Sequence, residues 1–392
     1  MPDADAAGAD AAGAEHEAMS LRTTVVHLIT TLSQGGAERV LSQVVPRPAE
    51  HPGERHVVVS LVAGGMFSDE LVAAGVEVRD LWMRPGRDVV RGTLRLARML
   101  RELRPDLVVS WMYHASLLDV LARPFAAGAR RARMVWFLQG SLHSTTGLPL
   151  HTRMTIRVLA AFSGRPDAIA INSHSGKRQH EQSGYRPKAW IHLPNGCDFR
   201  VFAPDPLGRS AVREELGVRD DEDLVLFVGR NHPAKGPDVL LDGLRQFDEI
   251  GSTRVALVLV GAGTQDLRVA DGSVTRVLAL GERRDVPRLL HGADILALPS
   301  RTEGTPNVVI EAMASEVLCL VTDVGDSARI VGDTGVVIPP QDAVALRDGL
   351  VALLALSPAQ RRFLGERARA LAIRNHGLEA ARATYRHLWM SS

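Results

Sequence analysis

Two glutamates, Glu303 and Glu311, stand on either side of what the sequence predicts to be the start of a helix. They lie in the segment RTEGTPNVVIEAMAS (301–315), which follows a short apolar run. Threonine caps helix N-termini and proline suits the first helical position, so Thr305 and Pro306 predict a helix that begins there. Glu303 then lies in the loop before the helix, and Glu311 lies more than one turn into it.

The first amides of that helix, on Asn307, Val308 and Val309, have no carbonyl partner within the helix. Together with the helix dipole they favour an anion such as a phosphate group. A carboxylate accepts two hydroxyl hydrogen bonds, which suits Glu303 and Glu311 to the hydroxyls of a ribose and a sugar. The spacing therefore predicts a diphosphate held between two polyol-binding carboxylates, although two glutamates beside a surface helix are also common without such a role.

Two further pairs of residues follow predicted strands. In FVGRNHPAKGPDVLL, Arg230 and Lys235 flank a loop that leads into a helix, and two cations at the carboxyl end of a strand suit a diphosphate. In TLSQGGAERV, Gly35 and Gly36 let the backbone approach a ligand closely. The glycine spacing is not GxGxxG, which argues against a nicotinamide dinucleotide site. The plainer alternatives are two solvated surface cations and an ordinary tight turn.

The elements that position these residues are short apolar runs separated by helix-length segments. Strands rich in Val, Ile and Leu are predicted at 23–30, 55–62, 76–81, 106–111, 133–138, 168–172, 189–194, 223–229, 255–261, 274–280, 293–299, 317–322 and 335–339. Continuous apolar runs indicate strands buried on both faces, and the intervening helices indicate parallel sheets with right-handed crossovers. So many strands exceed one sheet of ordinary size. The predicted fold class is α/β, with two Rossmann-like, doubly wound parallel-sheet domains facing a cleft.

The domain boundary is predicted in LPNGCDFRVFAPDPLGRS (193–210), which is rich in proline and glycine and has neither helical nor strand periodicity. The expected organisation is a disordered tail at 1–19, a Rossmann-like domain at 20–196, a second Rossmann-like domain at 197–372 and a C-terminal helix at 373–392 that crosses back to the first domain. The Ala- and Asp-rich start has no basic segment followed by an apolar block, so it does not resemble a signal peptide.

Composition narrows the class of protein further. The 392 residues carry a formal net charge of +1, which argues against a nucleic-acid partner. Only two cysteines occur, which favours a reducing, cytoplasmic location without a disulfide framework. The chain contains no apolar run long enough to predict a transmembrane helix.

Five segments in this order resemble glycosyltransferase family 4, whose members are retaining enzymes of the GT-B fold. They are INSHSGKRQHEQSGY, HLPNGCDFRVFAPD, VGRNHPAKG, EGTPNVVIEAMA and VTDVGDSARIVGDTGVVIPP, and the resemblance extends over about residues 24–390. It implies that the first domain binds the acceptor and that the second domain binds the nucleotide sugar. It implies that Glu311 holds the nucleotide ribose and that Glu303 contacts the hydroxyls of the donor sugar. It also implies that Arg230 and Lys235 bind the diphosphate and offset the charge of the departing nucleotide.

The resemblance assigns expected roles to further residues. Gly35 and Gly36 would approach the phosphates or the acceptor from the first domain. His114, in SWMYHAS, would contact the donor sugar, although a histidine that merely completes the start of a helix is the simpler alternative. Glu282 and Arg283 lie where the base of the nucleotide is read.

The expected reaction needs no cofactor and no metal. No Asp-x-Asp pair is predicted at the end of a strand, and Asp221 and Asp223 in RDDED are interpreted as a solvated turn before a strand. Helix dipoles and cations would then stabilise the leaving diphosphate, and front-face transfer with retention would follow. The substrates expected are a nucleotide-sugar donor, most simply UDP-linked, and a hydroxyl acceptor.

The acceptor is the least determined part of the prediction. Arginine far outnumbers lysine, and Ala, Gly and Val are used heavily, which suggests a coding sequence rich in G and C. This bias and the lack of a predicted membrane anchor favour a small secondary metabolite such as an aminoglycoside intermediate as acceptor, and His143 is a candidate acceptor contact. Alternatives are exopolysaccharide, capsule or lipid-linked glycan assembly, a non-hydrolysing sugar-nucleotide epimerase and a non-catalytic binding module. The basic segment RGTLRLARMLRELR (91–104) is interpreted as a sheet-covering helix, with contact to anionic lipid as the less favoured reading. The oligomeric state stays open.

Overall fold

Two parallel β-sheets, one from each half of the chain, form the framework of the molecule. The computed structural model describes residues 23–33, 35–84, 87–140, 142, 149–248, 254–267 and 275–391. The predicted tail at 1–19 and the candidate acceptor contact His143 lie outside the described residues.

The first sheet has seven parallel strands in the order β3-β2-β1-β4-β5-β6-β7. Its strands are β1 Thr23–Ile29, β2 Glu54–Ser60, β3 Glu77–Asp80, β4 Leu107–Trp111, β5 Arg133–Leu138, β6 Ala168–Ile171 and β7 Trp190–His192. The helices between them are α1 Gly36–Val44, α2 Met66–Ala73, α3 Val89–Leu103, α4 Met112–Ala122, α5 Leu150–Phe162 and α6 His174–Gln182.

The second sheet has six parallel strands in the order β10-β9-β8-β11-β12-β13. Its strands are β8 Glu222–Val228, β9 Arg254–Val260, β10 Arg276–Gly281, β11 Ile295–Leu298, β12 Leu318–Thr322 and β13 Val336–Ile338. Its helices are α7 Pro206–Glu215, α8 Pro237–Asp248, α9 Val286–Gly292, α10 Asn307–Ala314, α11 Ser327–Val331, α12 Ala343–Leu354 and α13 Pro358–His376, and the last helix of the chain is α14 Leu378–Met390.

The predicted fold class is confirmed, and burial explains why the apolar runs revealed it. Val25, Val26 and Leu28 on β1 are all 0% exposed because helices cover both faces of the sheet. Each side chain of this size stabilises the fold by about 1.5–3 kcal/mol when it is removed from water. A strand covered on both sides must therefore be apolar at consecutive positions rather than at alternate ones.

The predicted linker at 193–210 is too long. Helix α7 begins at Pro206, and the Asp205 carboxylate accepts a hydrogen bond from the Leu207 amide at 3.1 Å. Aspartate at the cap and proline at the first helical position together start a helix inside the proline-rich stretch.

The chain crosses between the two sheets twice, and the two crossings are bonded to each other. The Cys197 amide donates to the His376 carbonyl at 2.8 Å, and the Leu378 amide donates to the Cys197 carbonyl at 3.1 Å. The second crossing lies at Gly377, between α13 and α14, whereas the sequence placed the start of the returning segment at 373. The hydrogen-bonded crossings join the domains at one side of the cleft.

Helix α14 returns to the first domain and packs into its core. Tyr385 is 1% and Trp389 is 2% exposed, and the Trp389 ring lies 5.1 Å from the rings of both His27 and His56. Arg386 Nε donates to Glu54 Oε1 at 2.7 Å, which adds a polar contact at the edge of the same surface. The end of the chain is therefore part of the first domain.

Among the described residues, no single helix has the length and apolarity needed to span a membrane. The pair α12 and α13 meets that test together, and it is bent by 109° at its break.

We expect Trp389→Ala to lower the free energy of unfolding by about 3–5 kcal/mol, because a fully buried aromatic side chain is lost. Met390→Ala, at the neighbouring residue that is 39% exposed, is the matched control and should change it by less than about 1 kcal/mol. Denaturant titration followed by circular dichroism measures both. Equal losses for the two variants would show that α14 does not dock as described.

Candidate active site

The loops at the carboxyl ends of the two sheets face each other around a cavity of about 860 Å³. Eight sequence-predicted residues line this cavity: Gly35, Gly36, Arg230, Glu282, Arg283, Asn307, Val308 and Glu311. The other five, His114, Lys235, Glu303, Thr305 and Val309, are described but do not line it. The cavity thus gathers most of the residues that the sequence assigned to a nucleotide, whereas the predicted sugar contacts Glu303 and His114 do not line it.

Helix α10 begins at Asn307, with Pro306 in the extended cap position. The prediction that Thr305 caps this helix is wrong, because its hydroxyl donates to the Asn172 carbonyl of the first domain at 2.7 Å. No side chain caps the helix start in its place. The Thr305 hydroxyl therefore bonds to a carbonyl of the other domain instead of to the start of its own helix.

The helix start presents fewer open amides than the sequence suggested. The Val309 amide donates to the Pro306 carbonyl at 3.1 Å, so the expected phosphate contact at Val309 is wrong. Asn307 and Val308 line the cavity, and their amides belong to the first turn of a helix without a side-chain cap. These two amides and the positive end of the helix dipole remain suited to an anion.

Glu311 lies one turn further along α10 and is 6% exposed. Its Oε1 forms an ion pair with Arg39 Nη2 at 3.0 Å, and Arg39 comes from α1 of the first domain. Burial raises the pKa of the Glu311 carboxyl, and the Arg39 charge partly offsets that rise. The ion pair therefore holds a carboxylate at the cavity wall and joins the two domains there.

Sequence reasoning missed Arg39. It follows the Gly35–Gly36 pair by about one helical turn, on a helix that begins at the cleft, and that spacing is the one local signal for it. The guanidinium also lies 6.0 Å from the Phe202 ring centroid, so an aromatic face of the crossing segment supports its position.

A second pair of opposite charges lies within the second domain. Lys235 Nζ donates to Glu303 Oε1 at 2.6 Å, and the buried Ser300 hydroxyl donates to the same oxygen at 2.6 Å. Lys235 closes a 3₁₀ turn that is followed by Gly236 with φ 66°, where a Cβ atom would lie 2.1 Å from the Pro299 carbonyl oxygen. Only glycine fits this close approach, so the loop holds the Lys235 ammonium against the Glu303 carboxylate.

The loop that carries Glu303 also contacts the first domain. A Cβ atom on Gly304 would lie 2.8 Å from the Cα atom of Gly140, so the backbones of the two domains touch at this point. Nearby, the Asp326 carboxylate accepts hydrogen bonds from the amides of His174 at 2.8 Å and Ser175 at 2.9 Å. These amides begin α6, so a buried carboxylate of one domain caps a helix of the other. Asp326 is a second residue that the sequence analysis missed.

The side chains expected to contact the base of the nucleotide differ in whether a carboxylate of the protein already holds them. Arg283 donates to both oxygens of Asp285, at 2.7 and 2.6 Å, and this contact lowers the pKa of Asp285 to about 2. Arg283 is therefore held at the rim by a carboxylate, whereas Arg230 and Glu282 are exposed along the cavity. Arg284 also lines the cavity and is exposed, so Arg230 and Arg284 are the two second-domain cations in this wall that are open to an anionic ligand.

His114 lies in the first turn of α4, and its ring is 5.7 Å from the ring of His151. Burial, and to a lesser extent His151, lowers the pKa of His114, so the imidazole is neutral at neutral pH. Because β4 and β5 are paired parallel neighbours, His114 follows β4 at the same sheet edge where Gly140 follows β5. This places His114 on the side of the first domain that faces the Glu303 loop.

The two aspartates considered for a metal site lie at the opposite end of the second sheet. Asp223 belongs to the start of β8 and forms an ion pair with Arg361, so its interpretation as part of a solvated turn is wrong. Asp221 is exposed and pairs with Arg219 at 2.9 Å. The amino end of β8 is remote from the cleft because the cavity lies at the carboxyl ends of the strands.

Comparison with known proteins relates this geometry to a family. Residues 34–201 match the family model described as Glycosyltransferase Family 4, and residues 222–356 match that described as Glycosyl transferases group 1. The chain is 31% identical to a GDP-mannose-dependent monoacylated α-(1-6)-phosphatidylinositol monomannoside mannosyltransferase of Corynebacterium glutamicum, over 70% of this chain and 74% of the relative. It is 30% identical to a UDP-Gal:α-D-GlcNAc-diphosphoundecaprenol α-1,3-galactosyltransferase of Escherichia coli, over 62% and 64% of the two chains.

Solved structures show the same fold. A crystal structure of Anabaena HepE with UDP-glucose superimposes with a TM-score of 0.77 and 22% identity, and covers 93% of this chain and 99% of HepE. The chain spans about half the length of the D-inositol 3-phosphate glycosyltransferases that it also matches. With both halves matched in order and 74% of a mannosyltransferase covered at 31% identity, the chain belongs to glycosyltransferase family 4 and has the GT-B fold.

Proposed function

We propose that this chain transfers a hexose from a UDP-linked donor to a hydroxyl of a lipid-linked acceptor, with retention of the anomeric configuration. One observation carries the proposal: a single cavity joins the start of α10, the free cation Arg230 and the buried carboxylate of Glu311. A nucleoside diphosphate sugar presents a diphosphate and a ribose, and it matches this set of groups. Neither a helix start nor a carboxylate alone makes that match.

Each part of the donor has a candidate partner. The amides of Asn307 and Val308 and the guanidinium of Arg230 face the diphosphate, and Glu311 accepts hydrogen bonds from the ribose hydroxyls. Glu303, on the loop before α10, and Lys235, in the 3₁₀ turn before α8, lie next to this set. Glu303 meets the sugar hydroxyls, and Lys235 supplies further positive charge. Ser300 and Lys235 together fix the Glu303 carboxylate, each at 2.6 Å.

The proposed reaction is a front-face displacement. The acceptor oxygen bonds to the anomeric carbon as the bond from that carbon to the phosphate oxygen breaks. The electron pair of the broken bond stays with the diphosphate, and the acceptor proton passes to a diphosphate oxygen. The helix start and the two cations stabilise the charge that develops on the leaving group, so the proposal requires neither a metal nor another cofactor.

We expect chelation of divalent cations with EDTA to leave the transfer rate unchanged.

The donor and acceptor are proposed from relatives and neighbours. The E. coli relative uses UDP-Gal and a diphosphoundecaprenol-linked sugar, the C. glutamicum relative uses a phosphatidylinositol mannoside, and HepE binds UDP-glucose. The acceptors named for both relatives are lipids. They favour lipid-linked glycan assembly over the small secondary-metabolite acceptor that the sequence alone suggested.

We expect Glu311→Gln to weaken UDP binding by roughly 10- to 100-fold, because hydrogen bonds to a charged group contribute about 1.5–3 kcal/mol. Titration calorimetry with UDP, and with GDP as a comparison, measures this. The control is Glu214→Gln, an exposed residue on α7 of the same domain, which should bind UDP as the unaltered chain does. Unchanged UDP affinity in Glu311→Gln would remove the ribose assignment.

The Arg39–Glu311 pair predicts a pH dependence of UDP binding. The carboxylate form of Glu311 is the acceptor, so affinity falls as pH drops through the raised pKa of this group. Arg39 lowers that pKa, so Arg39→Met raises it and moves the loss of affinity to higher pH. Calorimetry across a pH series compares Arg39→Met with the unaltered chain, and the ionisation of UDP itself is common to both. The affinity of Glu311→Gln for UDP should lack the pH dependence that comes from Glu311. If the pH profiles of all three proteins coincide, Glu311 is not the group whose protonation weakens UDP binding.

Loss of Lys235 should slow transfer more than it weakens donor binding. We expect Lys235→Ala to lower kcat at least about 100-fold, because positive charge at the leaving group acts mainly in the transition state. The control is Lys188→Ala, an exposed lysine paired with Asp167 away from the cleft. Mass spectrometry of products formed from UDP-hexoses and polyprenyl-diphosphate-linked sugars gives the rates. A donor converted to an epimer without any acceptor would instead support the epimerase alternative.

A further inference from the structure

The outer face of α3 in the first domain exposes large apolar side chains to water. Trp82, in the loop before the helix, is 70% exposed, Val90 is 74% exposed and Leu94 is 55% exposed. On the helix, Val90 and Leu94 are one turn apart and share a face with three arginines. We define the outer α3 strip by six residues: Trp82, Val90, Arg91, Leu94, Arg98 and Arg101.

This strip is distinct from the core-facing side of the same helix. Leu96 and Leu100 are 0% exposed and pack in the core of the first domain, as a sheet-covering helix requires. The core thus accounts for one face of α3 and leaves Val90 and Leu94 on the other. Contiguous apolar patches on a protein surface are often sites of interaction with a partner or a membrane.

The backbone holds Trp82 outward. Its φ is 53°, which is an uncommon conformation for a bulky residue. The flanking residues are fixed against α3: Arg95 Nη1 donates to the Leu81 carbonyl at 2.7 Å, and Met83 packs so closely on Gly92 that a Cβ there would lie 2.3 Å from its sulfur. With both neighbours held by the helix, the Trp82 side chain is directed to the solvent.

The charge of the strip selects the kind of partner. Arg91, Arg98 and Arg101 are exposed, and the one acidic residue of α3, Glu102, pairs with Arg79 instead. A second copy of the chain would bring like charges together, and nucleic acid would use the arginines but leave the aliphatic side chains without a partner. A tryptophan, two aliphatic residues and arginines on one helix face suit the interface of an anionic bilayer.

The strip also lies at the correct edge of the domain for the proposed reaction. Helix α3 begins just after β3, at the carboxyl edge of the first sheet, and the cavity lies at that same edge. Trp82 and Val90 are at this end of α3. A bilayer that contacts them is therefore on the side of the domain where an acceptor enters the cleft.

We propose that the outer α3 strip docks the chain on an anionic lipid bilayer, with Trp82, Val90 and Leu94 in the interface and the arginines at the headgroups. This deepens the proposed function, on which it rests, by naming the surface on which the lipid-linked acceptor is met.

The test uses the full chain and vesicles without donor or acceptor. Co-sedimentation compares vesicles of phosphatidylglycerol mixed with phosphatidylcholine against pure phosphatidylcholine. We expect the partition coefficient to be at least about 10-fold higher on the anionic vesicles and to fall as salt is raised. Tryptophan emission should shift to shorter wavelength on binding, and Trp82→Phe should lose the shift. Trp111, Trp136 and Trp389 are buried already, and the half-buried Trp190 lies on β7, at the opposite edge of the sheet from β3.

Two double variants separate the charged and apolar contributions. R91Q/R98Q should lower partitioning roughly 20- to 30-fold, at about five-fold per arginine. V90S/L94S should lower it at least about 10-fold. The matched controls are Leu207→Ser, which is 86% exposed on α7, and Arg245→Gln on α8, and both should stay within about two-fold of the unaltered chain.

Three outcomes would overturn the proposal. They are equal binding to neutral and anionic vesicles, strip variants that behave like the controls, and a chain dimer in sedimentation velocity that the strip variants abolish. Calorimetry with UDP on every variant checks that the cleft is intact. If the unaltered chain binds UDP but not the vesicles, the docking surface is wrong and the proposed function stands. If the unaltered chain does not bind UDP, the proposed function is wrong, whatever the vesicle experiment shows.

Discussion

The buried ion pair between Glu311 and Arg39 is the constraint around which the cleft is organised. Removing a carboxylate from water is costly, and the raised pKa of Glu311 shows that Arg39 repays only part of that cost. A pair of this kind is a weak source of stability. The ribose contact proposed for the carboxylate would explain its presence, because an apolar side chain would fill the same space at lower cost. The cation must come from α1 since the cleft face of α10 points at the first domain.

The contacts around the pair fix how far apart the two domains lie. Asp326 caps α6 across the interface, Gly140 and Gly304 touch through their backbones, and the two crossings are hydrogen-bonded at Cys197. Backbone groups and a buried carboxylate make these contacts, and such groups lose a hydrogen bond if the domains separate. The cleft therefore has a tightly joined side. In the part of the chain that the structure describes, α1 and α10 are joined by the ion pair between Arg39 and Glu311.

Local chemistry made the fold and part of the site predictable from the sequence. The strands are visible as Val- and Ile-rich runs because both sheet faces are covered, and Arg230 and Glu311 are visible because topology places every strand-to-helix loop at one edge. Thr305 was misassigned because capping rules consider only neighbours in sequence, whereas its partner Asn172 is on the other domain. Arg39 and Asp326 were missed for the same reason, since the Asp326 partner His174 is 152 positions away. A local sequence pattern does not predict the contacts of a residue whose partner lies across a domain interface.

Helix α3 shows that covering the sheet and contacting a lipid surface are compatible roles, because they use different faces of the helix. A crossover helix needs only one apolar face for the sheet, and Leu96 and Leu100 supply it. The remaining face is free to carry another function at no cost to the core, provided that the cost of exposed Trp82, Val90 and Leu94 is offset elsewhere. Because all strands of the sheet are parallel, the helix that follows β3 must start at the edge where the loops form the cleft. The topology that assembles the cavity thus also directs one end of α3, with the exposed Trp82 just before it, to the edge of the sheet where the cavity lies.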